Sequence, residues 1–193
     1  MTAAHDPRVI QGKVIPEAIL CETEIALSYY PELKDARIVF RFKKEIRNSL
    51  MQAQPRGFFM GGNGRYYVIN ISERFFIDEQ TKAIKGVPSE ALIGWLVHEL
   101  GHVMDYHGRS SMGLVIFGFK YVTSGKYLRQ AEKTADTFAV ENGCGNYLVD
   151  CKEFILGHDE LPERYKQKIR RSYLSPASIN EMVVAREAEV KQK

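Results

Sequence analysis

His98-Glu99-Leu100-Gly101-His102 constrains this chain more than any other stretch. It lies within Pro88 to His107, a run whose apolar residues recur at helical spacing. Two histidines four apart stand one turn above each other on the same helical face, within reach of one metal ion. The glutamate directly after the first histidine sits beside that site, placed to handle a proton. This is the H-E-x-x-H pattern of zinc hydrolases.

The pattern is short, so its context matters. Stepping about 100° per residue from His98, His102 falls at about 40° and Glu99 at about 100°. Leu92, Ile93, Leu96, Val97, Leu100, Val103 and Met104 fall between about 120° and 260°. The spacing therefore predicts a helix anchored by one face and offering the other. Ala91 and Gly94 lie next to the histidines, small enough to let a second element approach. The competing reading is two histidines on an ordinary amphipathic helix.

A mononuclear zinc site usually takes three protein ligands and keeps one position open. The H-E-x-x-H-x-x-G-x-x-H register fails here, because Asp105 and Gly108 stand where a glycine and a third histidine are needed. His5 and His158 come without supporting pattern. Glu132 is the better candidate, in the helical run Arg129 to Ala139. With Glu132 at zero, Asp136 falls at about 40°, and Leu128, Ala131, Ala135, Phe138 and Ala139 fall between about 240° and 340°. Both carboxylates thus sit at the margin of a buried stripe. Its alanines at spacing four allow close approach, with Gly94 and Ala91 as complements. We assign Glu132 to the metal and Asp136 to the outer imidazole nitrogen of His98, a bond of the kind that fixes ring orientation. The alternative is a surface helix with Glu132 paired to Lys133 or Arg129.

His98-Glu99-x-x-His102 followed by Glu132-x-x-Ala135-Asp136 resembles the gluzincin pattern, and specifically the HtpX-like and CAAX-prenyl-protease-like metallopeptidases. The matching motifs span residues 65–140. The resemblance implies His98, His102 and Glu132 as zinc ligands, Glu99 as the catalytic base and Asp136 in support. It implies a zincin-like fold in which a strand before the active-site helix receives the peptide substrate antiparallel. Here that strand would be Arg65 to Ser72, with Tyr67 and Ile69 as substrate-binding positions. The family's oxyanion-stabilising residue has no single counterpart; His158, Arg164, Tyr165 and Tyr173 are candidates. Unlike the better-known members, the chain has no stretch that reads as a transmembrane helix.

The rest of the chain reads as one α+β domain over 1–193, strands first and helices after. Residues 1–15 form an irregular arm, and Glu17 to Tyr30 a helix ended by Pro31. Strands occupy 36–72: one at 36–43, a short one within Leu50 to Met60 interrupted by Pro55, and one at Arg65 to Ser72. Gly61-Gly62-Asn63-Gly64 is read as a hairpin turn, not a phosphate loop. Glu73 to Gly86 is irregular with one helical turn. The active-site helix covers 88–107, a connection 109–125, the glutamate helix 125–142 and further helices 146–190.

A net charge of +3 with interspersed signs gives no reason to expect a nucleic-acid partner. The N-terminus shows no signal-peptide pattern. Met112 to Val122, the longest apolar-rich run outside the motif helix, is about half a membrane span; it reads as a packed loop or short helix, or as a membrane-facing flap. Cys21, Cys144 and Cys151 form no disulfide framework, though Cys144 and Cys151 are able to pair. A reducing, cytoplasmic location follows from this usage. The functional expectation is a zinc peptidase acting on peptide or protein. Two competitors are a zinc-stabilised binding module whose cleft is blocked by 109–125 or the N-terminal arm, and a helical interaction protein using 162–190.

Overall fold

A computed structural model describes residues 7–46, 49–57, 64–76 and 86–191. The fold is α+β: a mixed sheet from the N-terminal part, then a mostly helical C-terminal part. Strands β1 (Pro7–Ile10), β2 (Lys13–Pro16), β3 (Ile38–Lys43), β4 (Met51–Arg56) and β5 (Tyr66–Ser72) are ordered β1-β2-β3-β5-β4. β2, β3 and β5 run parallel, and β1 and β4 close the two edges antiparallel.

The expected irregular arm is corrected over 7–16, where β1 and β2 form a hairpin. Its turn is Gln11-Gly12, with φ of 45° and 78°. Positive φ at both turn residues gives the twist a two-residue hairpin needs. The strand is hard to see in sequence because β1 is exposed and lacks an apolar face. Residues 1–6, including His5, lie outside the described residues.

The strand expected to break at Pro55 runs through it. β4 is an edge strand, so the missing N–H of Pro55 faces the unpaired side and costs no ladder bond. β4 and β5 are antiparallel as a hairpin requires; the glycine turn at 61–63 lies outside the described residues, as do 77–85. A short helix, α2 (Glu73–Phe76), follows β5.

The helical part begins with α1 (Leu20–Ser28), which crosses from β2 to β3. Just past its end, the buried Tyr30 donates its hydroxyl to the carbonyl of Val97 at 2.6 Å. That bond ties the N-terminal layer to the central helix, α3 (Ser89–His107). α4 (Ser111–Thr123), α5 (Gly125–Glu141), α6 (Gly145–Gly157), α7 (Glu163–Ser172) and α8 (Pro176–Lys191) complete the chain. The expected connection at 109–125 is mostly helix, and of the readings given for Met112 to Val122 the short helix is the one that holds. Ser110 caps it by accepting the N–H of Gly113 at 3.1 Å. Leu114, Phe117 and Tyr121 give it an inward stripe. Ser124 caps α5 in the same way, accepting from Tyr127.

α3 is not the half-offered helix that its wheel suggests. Every residue from Ala91 to Val103 is buried, polar face included. α1, α5, α6 and β4 surround it. Two glycines permit this. A Cβ on Gly94 would collide with the Tyr147 carbonyl and Cys151 Cβ of α6, and one on Gly101 with the Ala135 backbone of α5. The small-residue contact read between Gly94 and α5 thus belongs to Gly101; Gly94 serves α6. All three cysteines are free thiols, so Cys144 and Cys151 do not pair. Burial pushes the Cys144 thiol up to about 12. Among the described residues no helix is long and apolar enough to cross a membrane.

Candidate metal centre and cleft

The site forms where α3 meets α5. Adjacent turns of α3 carry His98 and His102, with ring centroids 4.8 Å apart. The close Gly101–Ala135 contact brings α5 near enough for Glu132 to reach both rings. One carboxylate oxygen, Glu132 Oε2, lies 3.2 Å from Nε2 of His98 and 3.2 Å from Nε2 of His102. The three candidate ligand atoms lie within 4.8 Å of one another, and all three residues are buried.

This donor set fits a small divalent cation. Tetrahedral ligands about 2.0–2.1 Å from zinc are separated by edges of about 3.3 Å, which matches both Glu132 distances. The tautomer also fits. A carboxylate only accepts, so His98 donates its Nδ1–H to Asp136 Oδ1, at 2.8 Å. In the neutral ring that leaves the Nε2 lone pair facing Glu132 and His102. Burial opposes charge on His98, yet the hydrogen bond and charge of Asp136, with the hydrogen bond to Glu132, outweigh it and push its pKa up to about 9. Glu132 shows the converse. Burial alone would raise its pKa, but His102 and His98 hold it well below the usual carboxylate range. The positive charge these carboxylates favour at His98 is what a metal ion would supply.

The two histidines are held unequally. His98 has Asp136 behind it. His102 Nδ1 is buried without a hydrogen-bond partner among the described residues. Its ring instead stacks against Tyr106, at 6.0 Å and 16°.

Sequence reasoning missed several members of the site. Asp136, fully buried, accepts from Lys152 Nζ at 3.0 Å and from the backbone N–H of Leu174 at 3.0 Å. Burial would raise its pKa, but Lys152 and His98 together lower it. Lys152 lies on the i, i+3, i+4, i+7 stripe Leu148, Cys151, Lys152, Ile155, and a lysine on an apolar stripe is the signal that was available. Tyr121 of α4 donates its hydroxyl to Glu132 Oε1 at 2.6 Å. Burial and the adjacent Glu132 raise its pKa, so it stays a neutral donor. Tyr121→Phe should weaken zinc binding by up to about 10–100-fold, the usual effect of losing a bond behind a ligand, with a smaller change in melting temperature. A competitive chelator titration measures this, and unchanged affinity would mean that the hydroxyl does not orient Glu132.

A cleft of about 1610 Å³ opens over the site, lined by Glu99, His102, Tyr106, Glu132 and, from β4, Met51 to Arg56. Glu99 Oε2 accepts the backbone N–H of Ala53 at 2.6 Å. Leu50 pairs with Ser72 across the β4–β5 ladder. Alternation then turns the backbone groups of Met51, Ala53 and Pro55 away from β5 and towards the cleft. The edge strand beside the site is therefore β4; of its outward groups, the Ala53 N–H is taken by Glu99 and the Met51 carbonyl by Ser49 Oγ at 2.6 Å.

This corrects the expected substrate strand. β5 is hydrogen-bonded on both sides, by β3 and β4, and offers no edge. Tyr67 and Ile69 are buried within it, and the Tyr67 hydroxyl meets His107 Nδ1 at 3.1 Å. Of the oxyanion candidates, Arg164, Tyr165 and Tyr173 line the cleft. The ring of Tyr173 lies 5.2 Å from that of His98 and carries Lys152 over its face at 4.1 Å. His158 is elsewhere, packed between Phe75 and Phe154. Nor does the N-terminal hairpin block the cleft, because β1 is at the opposite edge of the sheet from β4. α4 forms a wall of the cleft, through Leu114, Phe117 and Tyr121.

In comparisons with known protein families, curated proteins and solved structures, no family, protein or structure matches the chain.

Proposed function

We propose that the protein is a zinc-dependent metallopeptidase on a zincin-like scaffold, related in mechanism to the gluzincins. The observation that carries this reading is the convergence of His98, His102 and Glu132, with Glu99 facing the same cleft beside edge strand β4. Zinc bound there would supply a Lewis acid that polarises the scissile carbonyl and acidifies water.

The chain's own residues do the rest. An extended peptide lies along the cleft-facing edge of β4 and takes up the Ala53 N–H as Glu99 Oε2 turns from it to the attacking water; such main-chain hydrogen bonds give affinity with little sequence selectivity. Glu99 takes the proton of the attacking water and passes it to the leaving amine. Tyr121 and Asp136 hold Glu132 and His98 in their orientations. Tyr173, beside His98 on the cleft wall, is the best placed of the oxyanion donors: burial, then the nearby Glu132, keeps its hydroxyl protonated. The free thiols suit a reducing compartment, and a cytoplasmic location belongs to the same proposal.

One observation favours a second reading, a latent or non-catalytic peptide-binding module that keeps the metal. Glu99 Oε2 is already engaged by Ala53. Digestion of a peptide library by zinc-loaded protein, with Glu99→Gln as control, separates the two. Cleavage by the wild type alone supports the peptidase; peptide binding without cleavage by either supports the latent module.

A further inference from the structure

The outer face of α4 takes no part in the metal site. Met112, Val115, Ile116, Phe119 and Val122 are 67%, 40%, 48%, 68% and 80% exposed. On a helical wheel they fall within an arc of about 120°, opposite Leu114, Phe117 and Tyr121, which face the protein. The helix is thus apolar on both sides, one face used internally and one presented to the outside. Scattered exposed apolar residues need no explanation, but a contiguous stripe on one helix does.

We propose that this face docks on an anionic phospholipid surface, with α4 lying in the interfacial plane. Charge selects lipid over a second copy of the chain. From Tyr106 to Ala131 the sequence has no Asp or Glu; Arg109 is paired with Asp105, and Lys120, Lys126 and Arg129 are left as exposed cations. Lys120 lies over the ring of Tyr127, and Arg129 reaches back to Gly125, so both cations sit at the C-terminal end of α4. Apolar residues flanked by cations suit a surface of acyl chains beneath acidic headgroups.

The docking does not depend on the metal chemistry. It has a consequence for the cleft, however, because the opposite face of the same helix holds Tyr121 against Glu132. A docked α4 sets the cleft wall at the lipid surface, within reach of membrane-associated chains.

Vesicle flotation tests the proposal, using the full chain with phosphatidylcholine vesicles made with and without phosphatidylserine. The wild type should float with the phosphatidylserine vesicles, and the interaction should weaken as salt rises. Ile116→Ser with Phe119→Ser should lower partitioning roughly tenfold or more, and Lys120→Glu with Lys126→Glu should lower it selectively on anionic vesicles. These side chains are exposed, so the melting transition should not move. Failure of the wild type to float would overturn the proposal, as would equal partitioning by the Ile116→Ser/Phe119→Ser variant. A concentration-dependent dimer dissolved by that variant would assign the face to a second copy and overturn it equally.

Discussion

Glu99→Gln is expected to lower peptide hydrolysis about 10²–10⁴-fold, the range that general acid–base catalysis contributes, while metal content stays at the wild-type level. The substitution keeps the shape of the side chain and removes its basicity. The amide oxygen can still accept the Ala53 N–H that the carboxylate accepts at 2.6 Å, so β4 and α3 should remain joined. Glu99 makes no bond to the converging Glu132 oxygen, and so the metal should remain. Zinc content, a melting curve and a cleavage assay on the same preparation check all three statements. Cleavage at the wild-type rate would remove Glu99 from the chemistry.

Lys152→Met is expected to destabilise the protein by about 3–5 kcal/mol, the usual cost of leaving one member of a buried pair without its partner. Lys152 is 2% exposed and Asp136 is fully buried. Asp136 keeps His98 and the Leu174 N–H, so a value near the lower end is expected. Methionine preserves most of the stem volume, which confines the effect to the charge. Adding Asp136→Asn should return part of the loss, because a neutral amide then replaces the carboxylate left without Lys152, and the two sites are in direct contact. Urea unfolding of the metal-free single and double variants measures both. A single-variant loss within about 0.5 kcal/mol, the usual range for surface changes, would mean that the 3.0 Å contact contributes nothing net.

How the sequence disclosed this site depended on whether a residue worked within one helix or between elements. His98, Glu99 and His102 share a helical face, so their spacing alone places them together. Glu132 and Asp136 were legible because they share the margin of an alanine stripe, and the structure brings both to His98. Lys152, Tyr121 and Ala53 reach the site from α6, α4 and β4, and only tertiary packing aligns those elements. The substrate strand was misplaced for a related reason. β5 has the stronger apolar pattern because it is buried between two neighbours, and that burial denies it a free edge. β4 carries Pro55 and glutamines and reads weakly as a strand, which is what an unpaired edge tolerates. The helix at Ser111–Thr123 is legible only as one of several alternatives, because its second apolar face blurs the periodicity by which amphipathic helices are recognised.

A zinc titration of chelator-treated protein tests most directly whether His98, His102 and Glu132 hold one divalent ion. One equivalent should bind tightly to the wild type. Glu132→Ala should lose that binding to a greater extent than Asp136→Ala, since Glu132 faces both rings and Asp136 acts only through His98. Wild-type protein that takes up no zinc, or uptake that is undiminished in Glu132→Ala, would mean that these three side chains do not form a metal site.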